Sequence, residues 1–321
     1  MRAGDASCFS FAGIDSSLSS GGITGDAYSL DFSSGTWRAI LPLPGDGRIG
    51  ATAQAVGGAI CIFGGFTVGD RLRETTLDRV DIYDIRRGTY VRGKPVPVPV
   101  DDTVSGIWRE RLVYLVGGWS GEGSTGRVQI YDVRSDRWRQ ATPLPSPAVF
   151  GHAGGIVGDT IVICDGARVD LDSDPPFLLS NRCFRGDIDP ENPVSIDWRK
   201  ISAHPGRPRY RMAGGALSRE GLVVFAGGAG SAYSYSGIGY DGEIAAPTGA
   251  AFAYHVDSGR WLRLEDAPLP TMDHRGLAGD GERLFLAGGI AGGRKSTGAV
   301  QVLSRSSGEA VTRGSGGERS P

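Results

Sequence analysis

An all-β fold made of repeated, four-stranded sheets is predicted by three features of this 321-residue sequence. Apolar, strand-like segments recur along the chain and end in Gly-Gly, and a second short signal follows them at a fixed spacing. No stretch of the sequence has helical periodicity. The 52 glycines lack a collagen period and separate the apolar segments, which is typical of many short strands joined by tight turns.

The first signal is an apolar strand that ends in paired glycines. It reads AICIFGG, VYLVGG, VVFAGG and LFLAGG in its clear copies, and SFAG and VICDG in two degenerate ones. Glycine permits positive φ and lets neighbouring backbones approach closely, so each pair is expected to form a turn in a crowded place. The six copies follow one another at intervals of about 50 to 60 residues and end at Gly13, Gly65, Gly118, Gly166, Gly228 and Gly289.

The second signal begins with an apolar or aromatic residue, which is usually followed by Asp. A short polar turn and then an aromatic residue complete it. It reads LDFSSGTW, YDIRRGTY, YDVRSDRW and YHVDSGRW, and a Pro-rich segment follows each copy. Trp198 supplies the aromatic residue for the degenerate fourth repeat. The pattern predicts two further strands in each repeat, with the aromatic ring filling the gap between adjacent sheets.

Six such repeats predict a six-bladed β-propeller, in which four-stranded sheets are arranged radially. We expect one domain over residues 1–313, with Ala299–Ser304 and Glu309–Arg313 as the last two strands and residues 314–321 as a disordered tail. Because the chain opens in a Gly-type strand, the innermost strand of blade 1 is expected to be missing or very short. A double glycine followed by Tyr and Trp at fixed offsets resembles the kelch motif, which implies a kelch-type propeller.

The bulk composition excludes several classes of partner. The formal charge of −2, from 34 Lys+Arg and 36 Asp+Glu, indicates no nucleic acid partner, and no apolar stretch is long enough to span a membrane. The first residues lack the apolar core of a signal peptide, so we expect a cytoplasmic protein, or a periplasmic one if the natural N-terminus is longer. The cysteines are predicted to be buried free thiols: Cys8, Cys61, Cys164 and Cys183.

Candidate site residues lie where the chain enters the innermost strands and leaves the Gly-Gly strands. Arginines enter three blades, and converging guanidinium groups suit a carboxylate or phosphate, although each arginine could instead be solvated or hold neighbouring blades by a salt bridge. The Tyr-rich loop 229–249 is long enough to act as a lid. The predicted substrate-binding residues are Arg48, Arg211, Arg275, His152, Tyr240 and Arg182.

Within the kelch propellers, the second half is similar to the bacterial N-acetylneuraminate epimerases, or sialic acid mutarotases. The resemblance rests on AGGALSREGLVVFAGGAG (213–230), the loop after it and LFLAGGIAGGRKSTGAVQVL (284–303), and it places family arginines at Arg48 and Arg275. It implies cofactor-independent interconversion of the anomers of an acidic sugar. In that family a glutamate follows the blade-4 glycine, where this chain has Ala167; the catalytic candidates are therefore Asp273, Glu243, Asp172 and Arg168, with Asp165 as a further carboxylate.

A second class of function is equally compatible with the scaffold. A non-catalytic kelch module that binds a protein or carbohydrate should expose an apolar or charged patch on one rim, whereas an enzyme should bring arginines and an acid of perturbed pKa together. Metal-dependent oxidation would need a His/Tyr cluster that nothing in the sequence marks, and we expect neither a metal nor a cofactor. The sequence leaves a monomer or a homodimer open.

Overall fold

The strands of the computed structural model, which describes residues 7–121 and 123–304, form six main antiparallel sheets of three or four strands. The inner strands of successive sheets contact one another, so the sheets are arranged as the blades of a propeller. The predicted all-β propeller is thus confirmed. The expected strand over 309–313 and tail over 314–321 lie outside the described residues.

Blades 1 to 3 follow the repeats in chain order. Blade 1 contains β1 (Ser7–Ile14), a 3-10 turn (Ser20–Gly22), β2 (Ile23–Asp31) and β3 (Thr36–Ile40). Blade 2 contains β4 (Thr52–Val56), β5 (Ala59–Phe63), a hairpin of β6 (Phe66–Val68) and β7 (Glu74–Thr76) around a 3-10 turn (Asp70–Leu72), β8 (Val80–Asp84) and β9 (Thr89–Arg92). Blade 3 contains β10 (Val104–Trp108), β11 (Leu112–Ser120), β12 (Gly123–Asp132) and β13 (Arg137–Ala141).

Blades 4 and 5 carry the longest insertions, and blade 6 completes the ring. Blade 4 contains β14 (Ala153–Val157), β15 (Thr160–Cys164), a hairpin of β16 (Ala167–Val169) and β17 (Phe177–Leu179), β18 (Cys183–Ile188) and β19 (Ile196–Ile201). Blade 5 contains β20 (Ala213–Leu217), a 3-10 turn (Ser218–Glu220), β21 (Leu222–Ala226), β22 (Ala251–His255) and β23 (Arg260–Arg263). Blade 6 contains β24 (Thr271–Met272), β25 (Ala278–Gly279), β26 (Arg283–Ala287), β27 (Ile290–Ala291), β28 (Lys295–Ser296) and β29 (Val300–Ser304).

The ring closes between blades 1 and 6, each of which has three strands in its described main sheet, β1-β2-β3 and β25-β26-β29. The rings of Phe32 in blade 1 and Phe285 in blade 6 stack with their centroids 4.1 Å apart, and the Arg283 guanidinium lies over Phe32. On the other side of blade 1, Phe11 packs edge-on against Tyr83 of blade 2. Apolar contacts therefore join blade 1 to both of its neighbours.

The paired glycines have the conformation that the sequence predicts. Gly64 has φ 57°, and a Cβ atom at this position would lie 2.0 Å from the carbonyl oxygen of Val100, so the turn excludes any side chain. In the degenerate copies Ala12 and Asp165 take the first glycine's place and keep the left-handed backbone, with φ 57° and 66°. The left-handed turn is therefore retained in all six blades, whether or not a glycine occupies it.

In blades 3, 4 and 5 the aromatic residue of the second signal joins the blade to the previous one. Trp138 packs against Tyr131 of its own blade, and its Nε1 donates to the carbonyl oxygen of Lys94, 2.9 Å away in the exit segment of blade 2. The same bond recurs from Trp198 to Thr142 and from Trp261 to Ser202. This repeated contact explains why an indole ring, which combines apolar area with one donor, recurs at a fixed offset.

The cysteines depart from the prediction. Cys164 and Cys183 face each other across β15 and β18, with their Cα atoms 4.2 Å apart, and form a disulfide. The expectation of four free thiols is thus wrong for this pair, because antiparallel register brings together residues that sequence spacing does not relate. Cys8 and Cys61 are free and buried, and burial raises the pKa of Cys61 to about 12. No helix among the described residues is long and apolar enough to cross a membrane.

Loss of the disulfide should lower the stability of the native propeller. The bond closes a loop of 19 residues, and removal of such a constraint from the unfolded chain costs about 3 kcal/mol. Cys164→Ala and the reduced wild-type protein should therefore both unfold at lower urea concentration than the oxidised protein. Four reactive thiols in the denatured, unreduced protein, or an unchanged urea midpoint after reduction, would contradict the assignment.

Candidate functional site

Five blades place a left-handed residue at one equivalent position, at the end of the propeller where the inner strands begin and the Gly-Gly strands end. We call this end the mouth. The φ values are 71°, 48°, 60°, 52° and 70° at Gly50, Asp102, Gly151, Arg211 and Asp273, respectively. Backbone N–H groups link these positions from blade to blade: Asp102 donates to Gly50, Gly151 to Asp102, and Arg211 to Gly151, at 2.8 to 3.1 Å. Three of the positions carry charged side chains instead of glycine.

Those charged side chains form an ionic network across the mouth. Arg211 lies between Asp102 and Asp273, with nitrogen–oxygen distances of 2.7 Å and 2.9 Å. Arg275 contacts the same two carboxylates at 2.7 Å and 3.4 Å. The side chains of Asp102 and Arg211 are 1% and 5% exposed, so water screens these pairs little. The network therefore holds blades 3, 5 and 6 together.

The pKa values of two carboxyl groups at the mouth are shifted in opposite directions. Burial and the neighbouring Asp102 charge raise the pKa of Asp101 well above its usual value, although Thr76 donates a hydrogen bond of 2.8 Å to it. Burial also acts to raise the pKa of Asp273, but the charges of Arg275 and Arg211 outweigh it and the pKa is lowered. The mouth thus holds two carboxyl groups whose pKa values are shifted in opposite directions, an arrangement found at acid–base sites.

Glu74, at the start of β7, brings a fourth acid to the mouth. Its carboxyl group is close enough to Arg211 and Asp102 for both charges to act on it, and desolvation by the surrounding protein raises its pKa. Unlike Asp101, which is buried, the Glu74 side chain is exposed to solvent. It is therefore the acid of this group that a dissolved ligand can reach first.

Aromatic rings from blade 5 enclose the network. Tyr210 and Tyr233 are fully buried, their ring centroids lie 5.2 Å apart, and the Arg211 guanidinium packs over both. Tyr233 belongs to the 229–249 loop. Neither its hydroxyl group nor Nε of Arg275 has a hydrogen-bond partner among the described residues. Two buried donors next to the ion pairs are thus available to a ligand or to water.

Four of the sequence-predicted residues lie at the mouth. Arg211, Arg275 and Asp273 form the network itself. Tyr240 lies at its edge, where its ring packs 4.3 Å from that of Phe177 in the blade-4 hairpin, and the Arg211 charge acts on its pKa, which burial raises to about 12.

Arg48 and His152 were expected at the mouth, but the structure places them between blades. The Arg48 side chain is fully buried and lies 2.9 Å from Asp81 of β8, and burial lowers its pKa to about 10. Arg48 precedes the left-handed position of blade 2 by two residues, as Arg209 does in blade 5. Arg211 occupies the left-handed position itself and therefore has a different environment. His152 is buried, and its Nε2 lies 2.9 Å from the carbonyl oxygen of Val116.

The remaining predicted residues do not join the network. Arg168 pairs with Asp170 at 2.7 Å, and Arg182 donates to the carbonyl oxygen of Ser146. Asp172 and Glu243 are exposed at the tips of their loops. Ala167 is fully buried in the apolar layer beneath the mouth, and Asp165 accepts a bond of 2.8 Å from His204. The blade-4 position of the family glutamate therefore carries no acid.

Sequence reasoning did not select Asp101, Asp102 and Glu74 as site residues. The first two follow the Pro-rich exit of blade 2 and are the counterparts of Tyr210 and Arg211 in blade 5, a correspondence visible once the repeats are aligned. Glu74 lies on the β6–β7 hairpin, which folds over the mouth, and no sequence motif predicts that placement.

Comparisons with known proteins agree with this architecture. The Kelch motif family matches residues 110–145. The solved structure titled "Structure of YjhT" superposes with a TM-score of 0.73 at 17% sequence identity, covering 95% of this chain and 96% of that one. No curated protein matches the chain by sequence. The chain thus has a β-propeller fold with a Kelch motif match at residues 110–145, and the structural match is evidence for its fold alone.

Replacing Asp102 should destabilise the propeller strongly. Asp102→Asn retains a side chain that tolerates left-handed backbone but leaves Arg211 and Arg275 with less negative charge, which costs about 3 kcal/mol or more for a buried pair. The exposed pair of Asp84 with Arg87 provides a control, since Asp84→Asn should cost less than about 1 kcal/mol. Urea unfolding at neutral pH measures both; equal losses would contradict a special role for the network.

The buried histidines should make stability depend on pH. Burial lowers the pKa of His152 and of His274 from 6.5 to about 4. The unfolded chain therefore binds protons below pH 6.5 that the folded chain does not, and stability should fall as the pH drops from 6.5 towards 4, by up to about 1.4 kcal/mol per histidine and pH unit. His152→Gln should reduce this slope in urea titrations at several pH values; an unchanged slope would contradict the prediction.

Proposed function

We propose that this protein is a cofactor-independent sugar mutarotase that interconverts the anomers of N-acetylneuraminate or a related acidic sugar. The observation that carries the proposal is the meeting of Arg211 and Arg275 with carboxyl groups whose pKa values are shifted in opposite directions. Acid–base catalysis needs one group that gives a proton and another that takes one. The resemblance of the second half of the chain to the N-acetylneuraminate epimerases supports the choice of substrate.

The proposed reaction needs only proton transfers. A base removes the proton of the anomeric hydroxyl group while an acid protonates the ring oxygen, the bond between that oxygen and the anomeric carbon breaks, and a carbonyl group forms. Rotation and the reverse steps close the ring on the other face and return both protons. We assign the acid to Asp101, whose pKa burial raises well above its usual value, and the base to Glu74, whose pKa burial also raises.

The arginines have limited capacity for the sugar's carboxylate. Both are already paired with Asp102 and Asp273, so the network is close to neutral when Asp101 is protonated. The donor left over is Nε of Arg275, and the Tyr233 hydroxyl group is the second. In the proposal these two groups hold the carboxylate under the closed 229–249 loop, to which Tyr233 itself belongs. Because both atoms are buried, the loop must open to admit the sugar and then close over it.

The alternative is a non-catalytic kelch module that binds a protein or carbohydrate. What favours it is a set of apolar side chains exposed on the loops around the mouth: Leu171 is 86% exposed, Leu72 66% and Ile244 57%. Exposed apolar residues grouped on one rim are typical of binding surfaces. The absence of an acid at Ala167 fits the same alternative.

Anomer equilibration measured by NMR separates the two functions. One pure anomer of N-acetylneuraminate, freshly dissolved, should equilibrate faster with the protein, and Asp101→Asn should reduce the acceleration by about 100-fold because an amide cannot supply the proton. Glu282→Gln, on an exposed pair with Arg219 remote from the mouth, is the matched control and should act like the wild type.

Each result of this experiment has one consequence. Acceleration that Asp101→Asn abolishes and Glu282→Gln retains supports the mutarotase. Saturable binding without acceleration assigns the protein to the non-catalytic class. If the protein neither binds N-acetylneuraminate nor accelerates its equilibration, acidic sugars are excluded as its ligands.

A further inference from the structure

A cleft between blades 4 and 5 lies apart from the network and is used by neither proposed function. Its cavity has a volume of about 150 Å³ and is lined by Pro205, Gly206, Arg209, Ala250, Phe252 and Arg263. This volume exceeds that of a few water molecules, so the cleft can admit a small ligand. Two of its lining side chains are cationic, and none is acidic.

The two arginines of the cleft are fixed by neighbouring carbonyl groups. Nη1 of Arg209 donates to Ala250 at 2.8 Å, and Nη1 of Arg263 donates to Ala251 at 2.7 Å. The Arg209 guanidinium also lies 5.2 Å from the centroid of the Phe252 ring. Ala250, just before β22, and Ala251, its first residue, therefore hold the two guanidinium groups next to one cavity. Because these side chains are already ordered, much of the entropy cost of ligand binding is removed.

The acids near the cleft compensate these charges only in part. Asp266 pairs with Arg263 but is half exposed to solvent, where screening weakens the pair. Asp165 accepts the backbone N–H of Arg209 at 2.8 Å and a second bond from His204. Since Gly206 donates to Nδ1 of His204, the proton of the neutral ring is on Nε2 and points to Asp165. Asp165 thus hydrogen-bonds the backbone of Arg209 and the ring of His204, and its charge still acts on the Arg209 guanidinium without a direct ion pair.

The propeller contains an internal comparison for this cleft. The corresponding groove between blades 3 and 4 is lined by Pro145, Pro147 and Arg182, among others, and its cavity measures only about 10 Å³. There the guanidinium of Arg182 donates through both Nη atoms to one carbonyl oxygen, that of Ser146. The packing of adjacent blades therefore does not by itself require a cavity with two arginines.

We propose that the cleft between blades 4 and 5 is a binding site for a phosphate-type oxyanion, held between Arg209 and Arg263. The planar guanidinium forks match the oxygen geometry of phosphate, and the remaining N–H groups of both side chains supply the donors. Phe252 and Pro205 offer apolar contacts to a group attached to the phosphate. The site needs no residue of the proposed mutarotase centre.

Calorimetric titration with inorganic phosphate at neutral pH and low ionic strength tests the site. One phosphate should bind per chain, and Arg263→Gln should weaken binding by about tenfold through loss of a charge-assisted contact. Ala250→Leu should abolish binding by filling the cavity while both charges remain. The matched control is Arg219→Gln, which removes an arginine of a similarly exposed pair and should bind phosphate like the wild type.

Absence of saturable phosphate binding, or equal binding by wild type and Arg263→Gln, overturns the proposal. So does a loss in Arg219→Gln as large as that in Arg263→Gln, because it would indicate non-specific attraction by net charge. Circular dichroism and urea unfolding of each variant establish that binding is compared between folded proteins. The result is independent of whether the protein accelerates mutarotation.

Discussion

The ion pairs of Arg211 and Arg275 with Asp102 and Asp273 are the interaction on which the mouth of this propeller depends. They join blades 3, 5 and 6 directly, across the axis, where the surrounding blade sheets contact only their neighbours. Such pairs are costly to desolvate, and they stabilise a fold only when every charge has a partner. The positive φ of Asp102, Arg211 and Asp273 adds strain that the backbone links between blades must hold.

The same network limits what the protein can bind. An arginine that already has two carboxylate partners attracts a further anion weakly, so the carboxylate of the proposed substrate would depend on Nε of Arg275 and on the Tyr233 hydroxyl group. Charge neutrality of the pairs also lets burial dominate the ionisation of Asp101. The pKa of Asp101 is thus raised even next to two arginines, because those arginines are already paired with other carboxylates.

The candidate site shows how a one-position difference within a repeat changes the role of a residue. Arg48 and Arg209 both precede a left-handed position by two residues and are buried between blades, whereas Arg211 occupies the left-handed position and points across the mouth. The sequence marks all three as arginines at strand entrances. Their different environments become clear only when the repeats are aligned on backbone conformation. The residue types of Asp102, Arg211 and Asp273 do not by themselves reveal the left-handed conformation.

The sequence by itself determined the repeat, the strands and the residues that join adjacent blades, because these depend on short spacings that recur in every blade. The Gly-Gly turns and the indole contacts could be predicted for this reason. Tertiary structure alone decided which side chains meet at the mouth and that Cys164 bonds Cys183. Arg211 meets Asp102 across 109 positions of the chain and Asp273 across 62. Only closure of the ring brings such distant residues together, and no local pattern specifies which of them will face each other.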